Sequence, residues 1–169
     1  MWLRSSACTW LIVGWRSVES KELATAVALL LIRRFEGCRL KPYLCPAGVP
    51  TIGYGATYYE NGRRVTLFDP PITLQRAEEL LRWQVTTKYL PAVLRLCPGI
   101  DSANRLAAII DFTFNLGDGN LKASTLRRRI NAGRWEDAPA ELRKWVRAAG
   151  KVQRGLVKRR EAEAALIWW

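Results

Sequence analysis

Apolar residues recur at helical spacing through most of the chain. The first long apolar run, from Ala24 to Ile32, spans nine residues. A bilayer needs about 20 apolar residues, so this run predicts a buried core helix rather than a membrane span. Ser20 is the predicted N-cap of the helix, and Gly37 is its predicted stop.

Five further helical segments are predicted downstream. A helix capped by Thr73 runs to about Leu90, with leucine and alanine residues on one face. A very apolar helix, capped by Asp101 or Ser102, ends at Gly117, and a helix that is apolar all round is usually buried. The remaining segments are Ser124 to Ala132, Glu136 to Ala148 and Val152 to Ile167.

The segment between these helical regions, residues 39 to 67, has a different pattern. It is rich in Gly and Pro, and Asn61-Gly62 lies between the apolar or β-prone segments Tyr58-Tyr59 and Val65 to Leu67. Asn-Gly between such residues is typical of a hairpin, so a small antiparallel sheet of two or three strands is predicted. The predicted fold class is therefore α+β, mainly α. A small sheet lobe and a larger helical lobe leave a groove between them, where binding sites often form.

Composition restricts the chemistry more than the fold. A chain of 169 residues suits one domain. The absence of histidine excludes histidine-based triads and most zinc sites, and none of the four cysteines forms a Cys-x-x-Cys pair. We therefore expect neither a metal nor an organic cofactor.

The net charge of +12 favours polyanionic partners, either nucleic acid or the anionic bacterial cell envelope. No helix-turn-helix spacing, zinc finger or aromatic RNA-binding motif supports nucleic-acid binding. The envelope is therefore the preferred partner. A basic run from Arg147 to Arg160 is a candidate surface for it, or a complement to helix C-termini.

Residues 1–18 form a predicted N-terminal extension, and residues 19–169 form the predicted domain. The apolar run Ala7 to Trp15 is too short to span a bilayer and has Arg4 before it and Arg16 after it. Two interpretations remain open. The segment is a weak signal or anchor, or it is an extension that packs on the domain, which we prefer because no cleavage site is evident.

Residues 35 to 57 carry the candidate catalytic groups. Glu36 stands where an apolar helix gives way to a loop, and a carboxyl group in dry surroundings is a candidate general acid. The apolar neighbours Ile32 and Phe35 are expected to keep it protonated. The alternative is that Glu36 only ends the helix with a solvated charge. A thiol, Cys45, and a hydroxyl, Thr51, follow in the predicted hairpin.

The spacing of Glu36, Cys45 and Thr51, followed by Thr-Ile-Gly-Tyr-Gly at 51–55, resembles the Glu–Asp–Thr catalytic signature of phage-type lysozymes, glycoside hydrolase family 24. Further motifs of that family follow in the same order, so the resemblance covers roughly residues 20 to 167. They are Phe-Asn-Leu-Gly at 114–117, Ser-Thr-Leu at 124–126, Trp145 and Gly-Leu-Val-Lys-Arg-Arg-Glu at 155–161.

This resemblance implies a lysozyme-like fold and a phage endolysin that lyses the host cell. Such an enzyme hydrolyses the β-1,4 bonds between N-acetylmuramic acid and N-acetylglucosamine in bacterial peptidoglycan. The chain departs from the family at two positions. Cys45 stands where the family normally has Asp, and Ala56 stands where a histidine is common. A non-catalytic cationic protein that binds peptidoglycan or perturbs membranes is the alternative.

In the family the Glu donates a proton, the Asp acts as base or electrostatic partner, and the Thr helps to place water. A free thiol has a pKa of about 8.5, which basic neighbours such as Arg39 and Lys41 can lower. Three hypotheses follow for Cys45. It replaces the Asp as thiolate base or nucleophile, it is idle while Glu36 and Thr51 work with water, or the site is inactive and only binds glycan. A regulatory disulfide between Cys45 and Cys8, Cys38 or Cys97 is a less favoured alternative, because Cys38 and Cys97 are expected to be buried free thiols.

The resemblance also implies contacts to the substrate. Tyr54, Gly55 and Thr57 are expected to line the floor of the groove, and Phe114 and Asn115 its opposite wall. Ser124 matches another family contact position. Each has a structural alternative, because Phe114 suits a core and Asn115 and Ser124 suit helix caps.

The expected enzyme is a monomer that reaches peptidoglycan by one of two routes. It waits in the host cytoplasm for a holin that permeabilises the membrane, or it leaves through its N-terminal segment and stays tethered for a time. In both cases it acts on the cell wall from the periplasm.

Overall fold

The computed structural model describes residues 17–169, and the structural statements below refer to them. Helix α1 spans Val18–Phe35 and buries Ala28 and Ile32 on its inner face. Its N-cap is Ser17, whose hydroxyl accepts a hydrogen bond from the Ser20 N–H at 3.2 Å, so the predicted cap at Ser20 is wrong by three residues. The predicted apolar run therefore lies inside a helix that begins earlier than the run itself. The apolar segment before Ser17 lies outside the described residues.

The main sheet has two antiparallel strands, β1 (Arg39–Leu44) and β2 (Pro50–Gly53). Tyr43 lies opposite Thr51, and a bulge interrupts the pairing between Arg39 and Tyr43. The turn between the strands contains Gly48, whose φ of 74° is in the left-handed region that glycine adopts without strain. The predicted small antiparallel sheet is confirmed, and it has two strands rather than three.

The predicted hairpin at Asn61-Gly62 is present only as a turn. Tyr58 and Arg64 form a single isolated bridge across it, and Gly62 has a φ of 80°. The flanking side chains stack instead of pairing further, because the Arg64 guanidinium lies 5.2 Å from the ring centroid of Tyr58. The Asn-Gly sequence therefore predicted the position of the turn correctly, but no strands extend from it.

The larger lobe is helical. Its helices are α2 (Leu74–Gln84), α3 (Leu90–Leu96), α4 (Ala103–Leu116), α5 (Asp118–Ala123), α6 (Thr125–Asn131), α7 (Ala138–Arg143) and α8 (Arg154–Leu166). A π-helical segment, Val85–Tyr89, joins α2 to α3, and a 3-10 turn, Trp135–Asp137, precedes α7. Thr73 caps α2 as predicted, and Ser102 rather than Asp101 caps α4.

Two stretches of this lobe differ from the prediction. Helix α5 was not predicted, and the predicted helix from Glu136 to Ala148 already ends at Arg143. A two-residue hairpin follows, β3 (Arg147–Ala148) with β4 (Lys151–Val152). Its turn holds Ala149 and Gly150 at φ values of 48° and 76°, which a right-handed helix cannot include.

Helix α4 is the centre of the molecule. Every residue from Leu106 to Thr113 is buried, and the helix packs against α1 on one side and α8 on another. Phe112 meets Trp145 edge to face, with ring centroids 5.6 Å apart. The one carboxylate in this buried stretch, Asp111, is fully enclosed and must therefore have a cationic partner. Among residues 17–169, no helix combines the length and apolar character that crossing a membrane requires.

Candidate active site

Glu36 is the residue at which α1 ends. Its backbone turns to an extended conformation, with φ −96° and ψ 141°, and its N–H donates to the Ile32 carbonyl at 2.8 Å. The side chain is 29% exposed and accepts a hydrogen bond from Nη1 of Arg159 at 2.5 Å. The apolar surroundings expected for Glu36 are thus incomplete, because a guanidinium contacts the carboxylate directly.

Arg159 is itself held from behind by Asp111. Its Nε and Nη2 donate to the two carboxylate oxygens of Asp111, both at 2.8 Å, in a two-point contact that fixes the guanidinium plane. Burial opposes the charge, but hydrogen bonds and the negative charges of Asp111 and Glu36 outweigh it and raise the pKa of Arg159. A permanent, buried cation therefore fixes the orientation of the Glu36 carboxylate.

Sequence reasoning missed this arrangement. The basic run from Arg147 to Arg160 was read as a surface, but Arg159 and Arg160 are 2% and 0% exposed. The signal that could have revealed them is Asp111, a charged residue in an otherwise apolar buried helix. Such a carboxylate requires a buried cation, and α8 supplies one.

Cys45 lies just after β1, in the turn that leads to β2. Its backbone N–H donates to the Val49 carbonyl at 3.0 Å, which closes the turn. Hydrogen bonds from the backbone N–H groups of Val49 and Ala47, together with the Thr51 hydroxyl, lower the pKa of the Cys45 thiol. The cause differs from the expected one, since Arg39 instead lies over the ring of Tyr43 at 4.5 Å.

Thr51 is buried in β2 at the base of the same turn. Its hydroxyl donates to the Val49 carbonyl at 2.9 Å and also contacts the Cys45 sulfur. The structure thus brings the second and third members of the predicted catalytic set into direct contact.

Tyr43 connects these groups to Glu36. Burial raises the pKa of its phenol, Arg39 opposes this, and the negative charges of Cys45 and Glu36 raise it further. Because both charges act on one phenol, Glu36 and Cys45 both lie in the neighbourhood of Tyr43. Sequence reasoning did not single out Tyr43.

The cysteines of the described residues are all free thiols, namely Cys38, Cys45 and Cys97. Burial raises the pKa of Cys97 to about 12, which suits a core residue. Cys38 is partly buried against the Tyr54 hydroxyl. Among these residues Cys45 pairs with neither Cys38 nor Cys97. Cys8 lies outside the described residues, so its pairing with Cys45 stays untested. No group of three or more residues suited to holding a metal ion occurs within residues 17–169.

The predicted floor of the groove is only partly exposed. Tyr54 is 8% exposed and belongs to the main core, so its ring supports the floor from below. Gly55 is exposed at a φ of 101°, which requires glycine. Thr57 is half-buried and lines a cavity of about 250 Å³ together with Tyr58, Trp83 and Lys88.

The predicted opposite wall lies at the end of α4. Phe114 is half-buried, with its ring centroid 5.0 Å from that of Tyr89. Asn115 caps no helix. Its side-chain oxygen accepts a hydrogen bond from Nη2 of Arg160 at 3.0 Å. Ser124 is the N-cap of α6 and is buried, so its structural role is confirmed, whereas substrate contact for all these residues stays a prediction.

This geometry agrees with the matches to known proteins. The model of the phage lysozyme family matches residues 33–163, which include Glu36, Cys45, Thr51 and Arg159. An endolysin of Acyrthosiphon pisum secondary endosymbiont phage 1 is 38% identical over 144 residues, which cover 82% of this chain and 93% of that protein. The chain belongs to the phage lysozyme family.

Two further matches extend the comparison of this phage lysozyme. A SAR-endolysin of Bacteriophage PS119 is 35% identical over 86% of this chain and 87% of its own length. The crystal structure of a mutant P22 lysozyme shares 30% identity with a TM-score of 0.73, covering 84% of this chain and 95% of that one. The lysozyme-like fold and the assignment as an endolysin with muramidase activity are confirmed, and the non-catalytic alternative is not favoured.

Proposed function

We propose that this phage lysozyme hydrolyses the β-1,4 bond between N-acetylmuramic acid and N-acetylglucosamine with Glu36 as its proton donor. The observation that supports this most directly is the position of Glu36. Its carboxylate is partly exposed beside the Cys45–Thr51 turn, and the buried Arg159 fixes its orientation. Cleavage of a glycosidic bond needs such a carboxyl group to protonate the leaving oxygen.

The proton reaches Glu36 before the bond breaks. The side chain of Glu36 is partly exposed, and a bound glycan that covers it removes water from the carboxyl group. Loss of water disfavours a charged carboxylate, so binding of the substrate promotes the protonated form that the reaction needs.

Cys45 takes the place of the family's Asp. The backbone N–H groups of Val49 and Ala47 that lower its pKa favour the thiolate, which supports the first of the three hypotheses. As a base, the thiolate removes a proton from the water that attacks the anomeric carbon opposite Glu36. As a nucleophile, it attacks that carbon itself, and Thr51 orients the water in either case.

The groove walls divide into contact and support residues. Thr57, Phe114 and Asn115 are partly exposed, and we assign them to contact with the glycan together with the exposed Gly55. Tyr54 and Ser124 are buried, so they position the backbone of the floor and wall.

The enzyme acts on peptidoglycan as a monomer whose net charge of +12 attracts it to the anionic cell envelope. It works in the periplasm. One similar protein carries the name SAR-endolysin, which supports export through the N-terminal segment as one route. Release from the cytoplasm by a holin is the other, and detection of the protein in the periplasm of cells that lack a holin distinguishes the two.

The direct test measures reducing sugar released from purified peptidoglycan. Glu36→Gln keeps the shape of the side chain but has no proton to donate, so we expect a loss of at least about 100-fold in kcat. Asp101→Asn is the matched control, because Asp101 also pairs with an arginine, Arg105 at 2.7 Å, at the opposite end of α4 from Asn115. Release of sugar by Glu36→Gln at the wild-type rate contradicts the assignment of the proton donor. A wild-type protein that binds peptidoglycan without releasing sugar contradicts the proposed reaction.

A further inference from the structure

A buried polar cluster connects Glu36 to Asn115, and it contains one carboxyl group that the reaction does not use. Arg159 contacts Glu36 at one end, and Arg160 contacts Asn115 at the other. Between them lies Glu163, one turn along α8. Its side chain is 0% exposed, with Oε1 2.8 Å from Nη2 of Arg160 and 3.9 Å from Nε of Arg159.

The five charged groups of this cluster balance only when one carboxyl group keeps its proton. The two guanidinium groups of Arg159 and Arg160 face three carboxyl groups, those of Asp111, Glu36 and Glu163. Asp111 accepts two hydrogen bonds from Arg159, and Glu36 accepts one. Glu163 is fully buried and accepts none, which makes it the carboxyl group expected to keep the proton. An excess charge at such depth is costly, and a carboxyl group avoids the cost by keeping its proton.

The hydrogen bonds lead to the same conclusion. Within residues 17–169 neither oxygen of Glu163 accepts a hydrogen bond, since the 2.8 Å approach of Arg160 lacks the required geometry. A carboxylate with two unsatisfied buried oxygens is unusual. A protonated carboxyl group needs one acceptor instead, and Asp111 lies within hydrogen-bonding reach.

We propose that Glu163 is a positioning residue that acts as a neutral carboxyl group, donating a hydrogen bond to Asp111 and holding Arg159 on Glu36 and Arg160 on Asn115. The proton on Glu163 removes the repulsion between two adjacent carboxylates. Asp111 then keeps both oxygens on Arg159, whose third nitrogen remains on Glu36. The buried proton on Glu163 thereby helps to orient Glu36 for the chemical step and Asn115 for glycan binding.

The surroundings of Glu163 support this state. Burial raises the pKa of Glu163 well above its usual range, and the hydrogen bond and charge of Asp111 raise it further, while Arg160 and Arg159 lower it. The charged groups of the neighbouring helices are accounted for. Asp111 comes from α4, Glu36 at the end of α1 is reached through Arg159, and the charges of α7 pair outward, Glu141 with Lys144 and Arg143 with Glu161.

The first test compares melting temperatures of wild type and Glu163→Gln as a function of pH. A raised pKa means that the contribution of Glu163 to stability is complete below the usual pKa of glutamate and is lost as the pH rises through the folded value. The amide cannot ionise, so the variant does not share this loss. We expect the Tm of Glu163→Gln, relative to wild type, to rise by about 2–4 °C between pH 4 and pH 8. A relative Tm that falls over this range overturns the proposal, because it shows that an ionised Glu163 stabilises the fold.

The second test separates positioning from a merely structural role. Glu163→Gln preserves a neutral donor, whereas Glu163→Ala removes it and releases both arginines. We expect Glu163→Ala to lose on the order of 10–100-fold in kcat, with a raised KM, and the Gln variant to recover at least about tenfold of that kcat. Glu161→Gln, on the same helix but in an exposed pair with Arg143, is the matched control. Equal activity of the Gln and Ala variants overturns the proposal.

A third measurement needs no variant. The carboxyl carbon of Glu163 in ¹³C-labelled wild-type protein is expected to show the chemical shift of the protonated acid at pH 6, and the shift of a carboxylate overturns the proposal. This inference rests on the proposed function only for its kinetic readout. Tm and chemical shift report on Glu163 even in a protein without hydrolytic activity, so failure of the proposed reaction and failure of this proposal are distinguishable.

Discussion

At the scale of single residues, the two chemical groups of the site are prepared by different means. A buried guanidinium, itself fixed by Asp111, orients Glu36. Backbone N–H groups at the β1–β2 turn favour the thiolate of Cys45 without any charged side chain. Salt screens an exposed ion pair strongly and a buried one far less, so the contact of Glu36 with the buried Arg159 is expected to depend little on ionic strength.

Replacement of Cys45 distinguishes its three hypothetical roles. We expect Cys45→Ser to lose at least about 100-fold in kcat, because a hydroxyl is not ionised at neutral pH and no adjacent base activates it. Cys45→Asp is expected to remain active, since it introduces a carboxylate that is ionised at neutral pH. Wild-type activity should rise as the pH passes through the lowered pKa of the thiol, and the Asp variant should not show this rise.

Cys38→Ser is the control for loss of a thiol, because Cys38 contacts Tyr54 rather than the turn. Reducing-sugar release over a range of pH measures all four proteins. Full activity of Cys45→Ser contradicts catalysis by the thiolate and favours the hypothesis that Cys45 is idle.

At the scale of elements, the helix caps hold the walls of the site. Ser124 accepts a hydrogen bond from the Arg127 N–H at 3.0 Å and donates one to the Leu121 carbonyl at 2.7 Å, so it joins the end of α5 to the start of α6. The Ser124 hydroxyl therefore uses both its donor and its acceptor capacity within the protein. We expect these two hydrogen bonds to contribute to the free energy of unfolding.

We expect Ser124→Ala to lower the free energy of unfolding by about 1 kcal/mol, the usual cost of removing a serine N-cap. Urea denaturation measures the change. Ser102→Ala, which removes the N-cap of α4, is the matched control with a comparable expected loss. A KM that rises more than tenfold for Ser124→Ala with no loss of stability contradicts the structural role and supports direct contact with the glycan.

The elements also show which parts of the structure are predictable from sequence. Periodic apolar patterns located the helices, and short-range signals such as Thr73 located their starts. The predicted helix from Glu136 to Ala148 was too long, because Ala149 and Gly150 have positive φ values and form the turn of a short hairpin. A local sequence motif was sufficient to predict Glu36, Cys45 and Thr51 as site residues. No local motif predicted Arg159, because its burial depends on Asp111, a partner 48 positions away.

At the scale of the whole molecule, the positive charge is expected to govern approach to the substrate. The net charge of +12 favours an anionic polymer as the partner. The guanidinium that orients Glu36 is buried, and backbone N–H groups rather than charged side chains lower the pKa of Cys45. Salt is therefore expected to affect encounter and binding much more than the chemical step.

We expect the KM for purified peptidoglycan to rise several-fold between 50 and 500 mM NaCl while kcat changes by less than about twofold, because the screening length shortens well below 10 Å. Initial rates of reducing-sugar release at each salt concentration give both constants. Circular dichroism at the highest salt is the control for unfolding. A fall in kcat with an unchanged KM contradicts the expectation that salt affects binding more than the chemical step.

The pairing of Glu36 with Arg159 joins residues 123 positions apart. During synthesis on a ribosome, the segment with Glu36, Cys45 and Thr51 emerges long before the helix that carries Arg159. A nascent or prematurely terminated chain therefore lacks the guanidinium that orients its acid, even with all three motif residues present. Hydrolysis is therefore expected to require synthesis through α8 as well as the three motif residues.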